Sequence, residues 1–349
     1  MEDIERDSSF IDGKKVLPLW TKNKVYALKN LQLKHLDLEN KFFEDLQSLE
    51  RKYMTMYQPL YDERRKIING EREPTEEESK WNYEDENVYN GDEKVEAKGL
   101  PGFWLEIFKT SPQLGSLIAE HDEPIMEHLR DIKIISSDQK PLGYTLEFHF
   151  DENDYFTDKV LTKTYEILGE KDEKRPFLIS SNILYKIRGC EINWKEDKDV
   201  TVKMTKTKQK AKSSGQTRTV NKEEKQESFF NFFKTPNEDG IKPSIKKLLN
   251  KDEKKEEKSL NEDDEEETSD DVDDLFEIDF NIGQVLKEDI VPKAILFYTG
   301  DLNDDFEMGD EFGDEDDEDD EDDDEDDDDD VEDEDDKNNK RKKLKGPTK

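Results

Sequence analysis

Apolar side chains recur at intervals of three and four residues between Val25 and Ile68. This spacing places them along one side of an α-helix, because a helix completes a turn every 3.6 residues. Gly70 and Pro74 follow the pattern as typical helix terminators, whereas Pro59 lies inside it and is expected to bend the helix near its end. The pattern therefore predicts one amphipathic helix, at residues 23–70, that is roughly 65 Å long.

The apolar stripe of this helix is too long to be buried by one small domain. Helices of more than about 25 residues more often pair with a second helix than lie along their own domain. We therefore expect a homodimer, parallel or antiparallel, and the alternative is a helix that lies along a monomeric domain. Two successive steps of four, at Leu38, Phe42 and Leu46, argue against a long regular coiled coil. The predicted dimerisation residues are Leu28, Leu31, Leu38, Phe42, Leu46, Leu49, Tyr53, Met56 and Leu60.

The periodicity changes after Lys98. The segment LPGFWLEI at 100–107 predicts a short helix, and residues 116–129 contain a second helical stretch. Alternation with a period of two then predicts strands that are separated by Asp, Asn, Gly and Pro turns. These strands are expected at 132–135, 144–150, 155–168 and 183–194.

The best-defined alternation is YTLEFHF, in which Tyr144, Leu146, Phe148 and Phe150 share one face and polar residues share the other. This pattern is typical of an antiparallel sheet that is covered on one side. A basic stretch at 200–220 with alternating apolar positions predicts a projecting hairpin. The Phe-rich segments at 228–233 and 280–300 are expected to return to the core. The predicted fold class is α+β, with the long dimerisation helix followed by an antiparallel four-stranded sheet backed by helices.

The distribution of charge along the chain predicts segments that do not pack into the folded domain. The chain has 94 Asp and Glu against 55 Lys and Arg, a formal net charge of −39, and 43% of its residues are charged, against about 25% in a typical globular domain. Residues 301–349 are predicted to be a disordered acidic tail with a basic end, because long runs of like charge cannot bury enough apolar surface. A charged disordered loop is expected at 236–274, and a flexible segment at 1–22. The domain that remains spans 71–300.

Composition also excludes several classes of protein. The single cysteine, Cys190, cannot form an internal disulfide or a multi-cysteine zinc site, which favours a reducing compartment. The start MEDIERDSSF lacks the apolar core of a signal peptide, and no apolar run reaches the length of a membrane span. A strongly acidic surface repels DNA, RNA and anionic lipid, so neither nucleic-acid nor membrane binding is expected. The expected partner is strongly basic.

Six blocks identify a resemblance to the nucleosome assembly protein family of histone chaperones, and they occur in the family's order. The resemblance spans about residues 28–300, and the acidic tail stands where the family has one. The stretch at 236–274 departs from the family by being longer and richer in lysine. The blocks are KGLPGFWLEIFK at 98–109, DEPIMEHLRDI at 122–132, YTLEFHFDENDYFTDKVLTKTYEI at 144–167, INWK at 192–195, SFFNFFKTP at 228–236 and IVPKAILFYTG at 290–300.

The resemblance implies a homodimer that is built on the long helix. It also implies a chaperone that binds core histones, shuttles them, and assembles and disassembles nucleosomes without ATP. Linker histone is a further candidate partner. We expect the tail to capture histones and fixed acids of the folded body to give specificity, while a tail that only solubilises the protein is the alternative. The candidate histone-binding residues of the tail are Asp314, Glu315, Asp316, Asp317, Glu318, Asp319, Asp320, Glu321, Asp322 and Asp323.

Several short motifs predict transport and modification, and we expect the protein in both nucleus and cytoplasm. Lys340, Arg341, Lys342 and Lys343 form a candidate nuclear-import signal for a transport receptor, or a basic clasp that folds onto the tail. The lysines of the predicted hairpin are a second import candidate. An acid-directed kinase is expected to accept Ser259 and Thr268. The candidate export signal, or simply helix packing, is Val25, Leu28, Leu31 and Leu33.

No catalytic site, metal site or cofactor is expected from the sequence. The four histidines lie on different predicted elements, and neither HExxH, a Gly-rich phosphate loop nor a Gly-x-Ser-x-Gly elbow occurs. A calcium buffer is a less favoured alternative, because the EF-hand pattern and an ER-retention end are missing. A second alternative is an acidic regulator that recruits histone-modifying or remodelling factors, which would share the same fold.

Overall fold

The computed structural model describes residues 10–11, 14–83, 89, 97–168, 177, 183–210, 217–249 and 269–302, with side chains left undescribed at 206–222 and a few further positions. Strands and helices follow each other along one α+β body. The elements are β1 (Phe10–Ile11), β2 (Lys14–Lys15), α1 (Lys22–Ile68), α2 (Phe103–Thr110), α3 (Glu123–Met126), β3 (Leu129–Ser136), β4 (Leu142–Phe150), β5 (Val160–Leu168), β6 (Ile183–Arg188), β7 (Val202–Lys210), β8 (Thr217–Lys225), α4 (Pro243–Leu249), α5 (Ser269–Val285) and α6 (Ala294–Thr299).

The predicted long helix is confirmed as α1, which has 47 residues and contains Pro59. Its last turn carries Arg65 and Lys66, where positive charge is favourable to the helix dipole. Gly70 follows in a left-handed conformation with φ of 63°, which ends the helix as a glycine C-cap does. Within α1, Ile68 is the buried residue, so most of the helix stands clear of its own domain.

The four-stranded antiparallel sheet is also confirmed, in the order β3-β4-β5-β6. Tyr144, Leu146, Phe148 and Phe150 are all buried on one face, as the alternation predicted. The opposite face is polar, and the register sets Asp131 beside His149 there. We call this second surface the open face of the sheet.

The covered face packs against the aromatic segment Phe229–Phe233, a 3-10 turn whose four phenylalanines are buried. The ring of Phe148 meets that of Phe233 edge to face, with centroids 5.0 Å apart, an arrangement that aromatic pairs prefer. Phe276 of α5 and Phe297 of α6 are buried in the same core. The expected return of the Phe-rich segments to the core is therefore confirmed.

A buried ion pair fixes α5 to the sheet. Lys163 of β5 is fully buried, and its Nζ lies 2.6 Å from a carboxylate oxygen of Asp279. The same ammonium donates to the backbone oxygens of Phe232 and Lys234, at 2.6 and 2.8 Å. Burial lowers the pKa of Lys163 and raises that of Asp279, and their mutual attraction opposes both shifts. A buried charge of this kind is tolerated because it is paired and hydrogen-bonded.

The predicted hairpin is confirmed as β7 and β8, which pair over nine residues from Val202↔Lys225 to Lys210↔Thr217. The charged loop predicted for 236–274 has helical residues at both described ends. Pro243–Leu249 form α4, and α5 begins at Ser269. Residues 250–268 lie outside the described part of the chain.

The helical stretch expected within 116–129 is confirmed, but it is short. Only Gly115–Leu117 and Glu123–Met126 are helical there. The carboxylate of Asp122 accepts the backbone N–H of Ala119 at 3.0 Å, which closes a turn between the two short helices. Leu129 then already belongs to β3.

Candidate functional site: an acidic end of the sheet

The loop that joins β4 to β5, Asp151–Lys159, is held by hydrogen bonds to one buried amide side chain. Asn153 is only 5% exposed, and its Oδ1 accepts the backbone N–H groups of Tyr155 and Phe156 at 2.9 and 3.0 Å. Because these donors are used by a side chain, they cannot pair in the sheet. This explains why β5 begins at Val160 rather than at the expected Tyr155.

The segment Glu191–Asp199, which follows β6, is held against this loop. Phe156 and Trp194 form an isolated antiparallel bridge, and their rings meet edge to face at 5.5 Å. Asn193 donates its backbone N–H and its amide N–H to Asp158, at 2.7 and 2.8 Å. The extended stretch predicted to reach Trp194 therefore ends as a strand at Arg188 and continues as a packed loop. The two segments form one frame, which we call the acidic end of the sheet.

Eight carboxylates and three lysines lie on the acidic end. Three of the carboxylates have local partners: Asp151 pairs with Arg130, Asp158 accepts from Asn193, and Asp199 accepts from Thr201. The other five are exposed and have no hydrogen bond or ion pair with any residue that the structure describes. These five are Glu152, Asp154, Glu191, Glu196 and Asp197.

A cavity of about 830 Å³ lies at the same end of the sheet, between the end of α1 and the open face. Asp151 lines it, so the cavity adjoins the acidic end directly. Asp131 of β3 forms part of its wall and is only 5% exposed. The nearest cation to this carboxylate is the Nζ of Lys133, at 4.0 Å. We call this space the Asp131 pocket.

Burial raises the pKa of Asp131 from 3.8 to about 6, and the positive charges of Lys133, His149, Arg64 and Arg65 oppose that rise. The dominant cause is the loss of hydration of the charged form. The carboxylate is therefore ionised at neutral pH, but its charged form is less stable than that of a solvent-exposed aspartate. A buried charge without a hydrogen bond is a feature that a bound cation would relieve.

The predicted dimerisation stripe is solvent-exposed along α1. Its nine side chains range from 37% exposed at Leu46 to 70% at Leu38. Single exposed apolar residues are ordinary on a protein surface, whereas a continuous stripe of them is not. The candidate export residues Leu28 and Leu31 belong to this stripe, while Val25 and Leu33 are half-buried.

The other predicted sites lie outside the described residues. They are the tail acids Asp314–Asp323, the import candidate Lys340–Lys343, and the phosphorylation candidates Ser259 and Thr268. Among the described residues, no group of three or more His, Cys, Asp or Glu side chains could hold a metal ion. Over the same residues, no helix has both the length and the apolar character that a membrane span requires.

The sequence pattern did not single out any carboxylate of the folded body, although two of the family-like blocks contain or adjoin them. DENDYF and INWK both appeared among the recognised blocks, and together they supply most of the frame of the acidic end. The signal that could have located this loop is Asn153, because Asn side chains commonly hydrogen-bond the backbone two residues on and so mark turns.

Comparison with known proteins gives one consistent family. A family model described as Nucleosome assembly protein (NAP) matches residues 23–301. Nucleosome assembly protein 1-like 1 of Xenopus tropicalis is 42% identical over 315 residues, which cover 85% of this chain and 74% of that protein. Nucleosome assembly protein 1-like 4 of Homo sapiens is 40% identical over 325 residues, 87% of this chain and 80% of that protein. Among solved structures, Nucleosome Assembly Protein 1 from Plasmodium knowlesi has a TM-score of 0.47 and 26% identity, covering 82% of this chain and 99% of that one.

Proposed function

The chain belongs to the nucleosome assembly protein family, and from this premise we propose that it is a histone chaperone. It binds core histones, carries them, and passes them to and from DNA without ATP hydrolysis. A chaperone of this kind works as an acidic host of intermediate affinity. It suppresses non-productive contacts of the histones with DNA by competition, and it releases them when the correct site is available.

One observation on the folded body carries the proposal: five exposed carboxylates stand on a fixed frame and have no partner among the described residues. Ion pairs within a surface neutralise each other, but these five leave their charge available to an incoming polycation. The frame keeps them in place through the Asn153 turn and the Phe156–Trp194 bridge. A fixed arrangement of charge can select among basic partners, which a mobile polyanion does less well.

The tail at 301–349 is proposed to act earlier, in capture. Its run of acids at 314–336 attracts a basic protein from a distance, and this attraction fades beyond a Debye length of about 8 Å at physiological salt. Capture by the tail would therefore raise the rate of association and depend strongly on salt. The acidic end would then set which histone surface is held.

We further propose that the functional unit is a homodimer paired along α1. A helix of 47 residues with one buried residue in its own chain leaves its apolar stripe to a partner. A second copy offers a matching stripe, which a symmetric interface requires. The acidic ends of both copies would then serve one histone complex.

The proposed traffic follows from motifs outside the described residues. Lys340–Lys343 would bind an import receptor, and the protein would work in both nucleus and cytoplasm. Phosphates on Ser259 and Thr268 would add negative charge near α5. The effect on histone affinity is expected to be modest beside that of the five carboxylates.

The test is a titration of core histones into the full chain and two variants at physiological salt. The first variant neutralises the acidic end with Gln at the three glutamates and Asn at the two aspartates. The second is a control of equal charge change, with Gln at five other exposed glutamates of the body that have no described partner. The control residues are Glu73, Glu76, Glu77, Glu106 and Glu120.

We expect the acidic-end variant to bind histones at least about tenfold more weakly, and to transfer them to DNA poorly, because fixed charges near the ligand contribute most. The control variant should bind within about twofold of the natural chain. Equal losses in both variants would mean that only net charge matters, which would overturn the role of the acidic end. A chain truncated after Asp301 should still bind in a fixed ratio, with slower association. If binding disappeared with the tail, the folded body would have no histone site.

A further inference from the structure

We infer that the Asp131 pocket receives one lysine or arginine side chain of the basic partner, and that Asp131 is the carboxylate that binds it. This inference rests on the proposed function and names a contact that the exposed carboxylates do not make. The pocket volume of about 830 Å³ lies within the range of sites that hold a whole small molecule, about 300–1,000 Å³, so one long side chain fits with room to spare.

The first argument is the unmet hydrogen-bonding capacity of the wall. Asp131 is only 5% exposed, and no residue that the structure describes donates a hydrogen bond to its carboxylate. The amide oxygen of Asn69, which also lines the pocket, is buried without a partner. Buried acceptors in native proteins nearly always have a donor. The unpaired Asn69 oxygen, beside an Asp131 carboxylate that has no described donor, favours a ligand rich in N–H groups.

The second argument concerns the cations of the pocket. Arg65 pairs with Glu71, Arg130 with Asp151 and Lys66 with Glu63 at the rim. These pairs neutralise three of the five Lys and Arg side chains that line the pocket, and the other two are Lys98 and Lys133. Lys133 stands 3.8 Å from Asp62 and 4.0 Å from Asp131, too far for a hydrogen bond to either. An incoming ammonium or guanidinium can therefore supply the donors that the wall lacks.

The third argument is access. Asp62 and Arg65 of α1 and its C-cap residue Asn69 follow each other at steps of three and four, so they share one side of the helix. At 100° per residue, that side lies about 180° from the stripe residue Leu60. The pocket would therefore stay open when two copies pair along the stripe. Asp151 joins it to the acidic end, which would bring a basic segment to its mouth.

A matched pair of substitutions in the full chain tests the inference. Asp131→Asn keeps the shape of the side chain and removes its charge. The control, Glu166→Gln, removes the charge of a carboxylate that is 7% exposed on the open face, but which pairs with Arg188 and lies outside the pocket. The probe is a core histone dimer, measured by calorimetry, together with thermal unfolding of each variant alone.

We expect Asp131→Asn to weaken histone binding by about tenfold or more, since a buried charge pair would be lost. The same variant should unfold at a higher temperature than the natural chain, because its buried charge has gone. Glu166→Gln should bind within about twofold. Tight binding by both variants would overturn the inference and leave the proposed function intact, whereas absence of binding by the natural chain would overturn the proposed function itself. A lower unfolding temperature for Asp131→Asn would show a structural role and also overturn the inference.

Discussion

The buried carboxylate of Asp122 accepts the backbone N–H of Phe229 at 2.8 Å, although the two residues are 107 positions apart. The same carboxylate accepts the hydroxyl of Ser228 at 2.6 Å and the N–H of Ala119 at 3.0 Å. One side chain thus closes the turn before α3 and begins the aromatic segment that fills the core. None of the three donors donates to another described acceptor, and the Ser228 hydroxyl also accepts the N–H of Phe230 at 3.1 Å.

Replacing Asp122 by alanine should therefore destabilise the fold. The substitution leaves buried donors unsatisfied, and each such group costs about 1–3 kcal/mol. We expect a loss of about 3 kcal/mol in the free energy of unfolding, measured with urea. Asp122→Asn retains one acceptor oxygen and should lose less. A value for Asp122→Ala within about 1 kcal/mol of the natural chain would contradict this role.

Two glycines of the segment KGLPGFW allow a matched comparison. Gly99 has φ of 65°, and a Cβ there would lie 2.1 Å from the backbone oxygen of Ile68. That oxygen accepts the N–H of Leu100 at 2.8 Å, so the end of α1 is tied closely to this turn. Gly102 has φ of 72°, but a Cβ there would meet nothing within 4 Å. The two glycines share a left-handed conformation and differ in the space around them.

Gly99→Ala should cost clearly more stability than Gly102→Ala. Both substitutions pay for a left-handed conformation, about 1–2 kcal/mol, but only the first also forces backbone atoms apart. We expect the difference in the free energy of unfolding to exceed about 1 kcal/mol, as overpacking commonly does. Circular dichroism during urea unfolding measures both. Equal losses of stability in the two variants would mean that the backbone at Ile68 moves away from the new Cβ without cost.

Much of this fold could be predicted from periodicity, and the reasons differ by element. The stripe of α1 and the alternation of β4 are long, regular patterns, so their existence and type were readable. The helical stretch expected within 116–129 is present but short, because the turn before it depends on Asp122, whose partners include the distant Ser228 and Phe229. Local propensity contains no information about such a contact.

The candidate site shows the same limit. The sequence indicated an acidic body, but it did not indicate which acids are neutralised by neighbours. Asp151 and Glu152 are adjacent and chemically alike, yet only Asp151 has a described partner, Arg130. The burial of Asp131 was equally hidden, because its strand neighbours Arg130 and Lys133 suggest a solvated face. The end of α1, which packs on that face, buries it.

If the chain pairs along the stripe of α1, charged residues placed on the stripe should disrupt the dimer. Leu46→Glu together with Leu49→Glu should give monomers or insoluble protein, because two charges would be buried in an apolar interface. Leu38→Glu is a milder test, since Leu38 is 70% exposed in the single chain and its replacement should leave the domain folded. Sedimentation measures the mass of each variant.

Ser48→Glu is the matched control for these variants. It places the same new charge on α1, but away from the stripe, because residue 48 lies about 200° around the helix from residue 46. We expect this variant to sediment with the natural chain. An intact dimer for all of the stripe variants would show that the chain pairs by another surface, whereas a monomeric natural chain would favour a helix that lies along its own domain.

The pH dependence of stability should carry the signature of Asp131. Its pKa is about 6 in the folded chain against 3.8 as an ordinary aspartate. Between these values the folded chain holds a proton that the unfolded chain has released, so the contribution of Asp131 to stability falls as pH rises. Above about pH 6, the ionised carboxylate costs of the order of 2–3 kcal/mol.

Asp131→Asn removes this cost, so the variant should have a higher free energy of unfolding than the natural chain at about pH 7.5. At about pH 5.5 this advantage should be smaller by about 1 kcal/mol. Both conditions lie above the sequence pI of about 4.5, which keeps the protein in solution. Urea unfolding at the two values measures the difference. Lys133, His149, Arg64 and Arg65 face the carboxylate in both proteins. A stability difference that does not change with pH would mean that Asp131 has an ordinary pKa. A bound histone should lower that pKa and shrink the difference, because a cation in the pocket favours the ionised form.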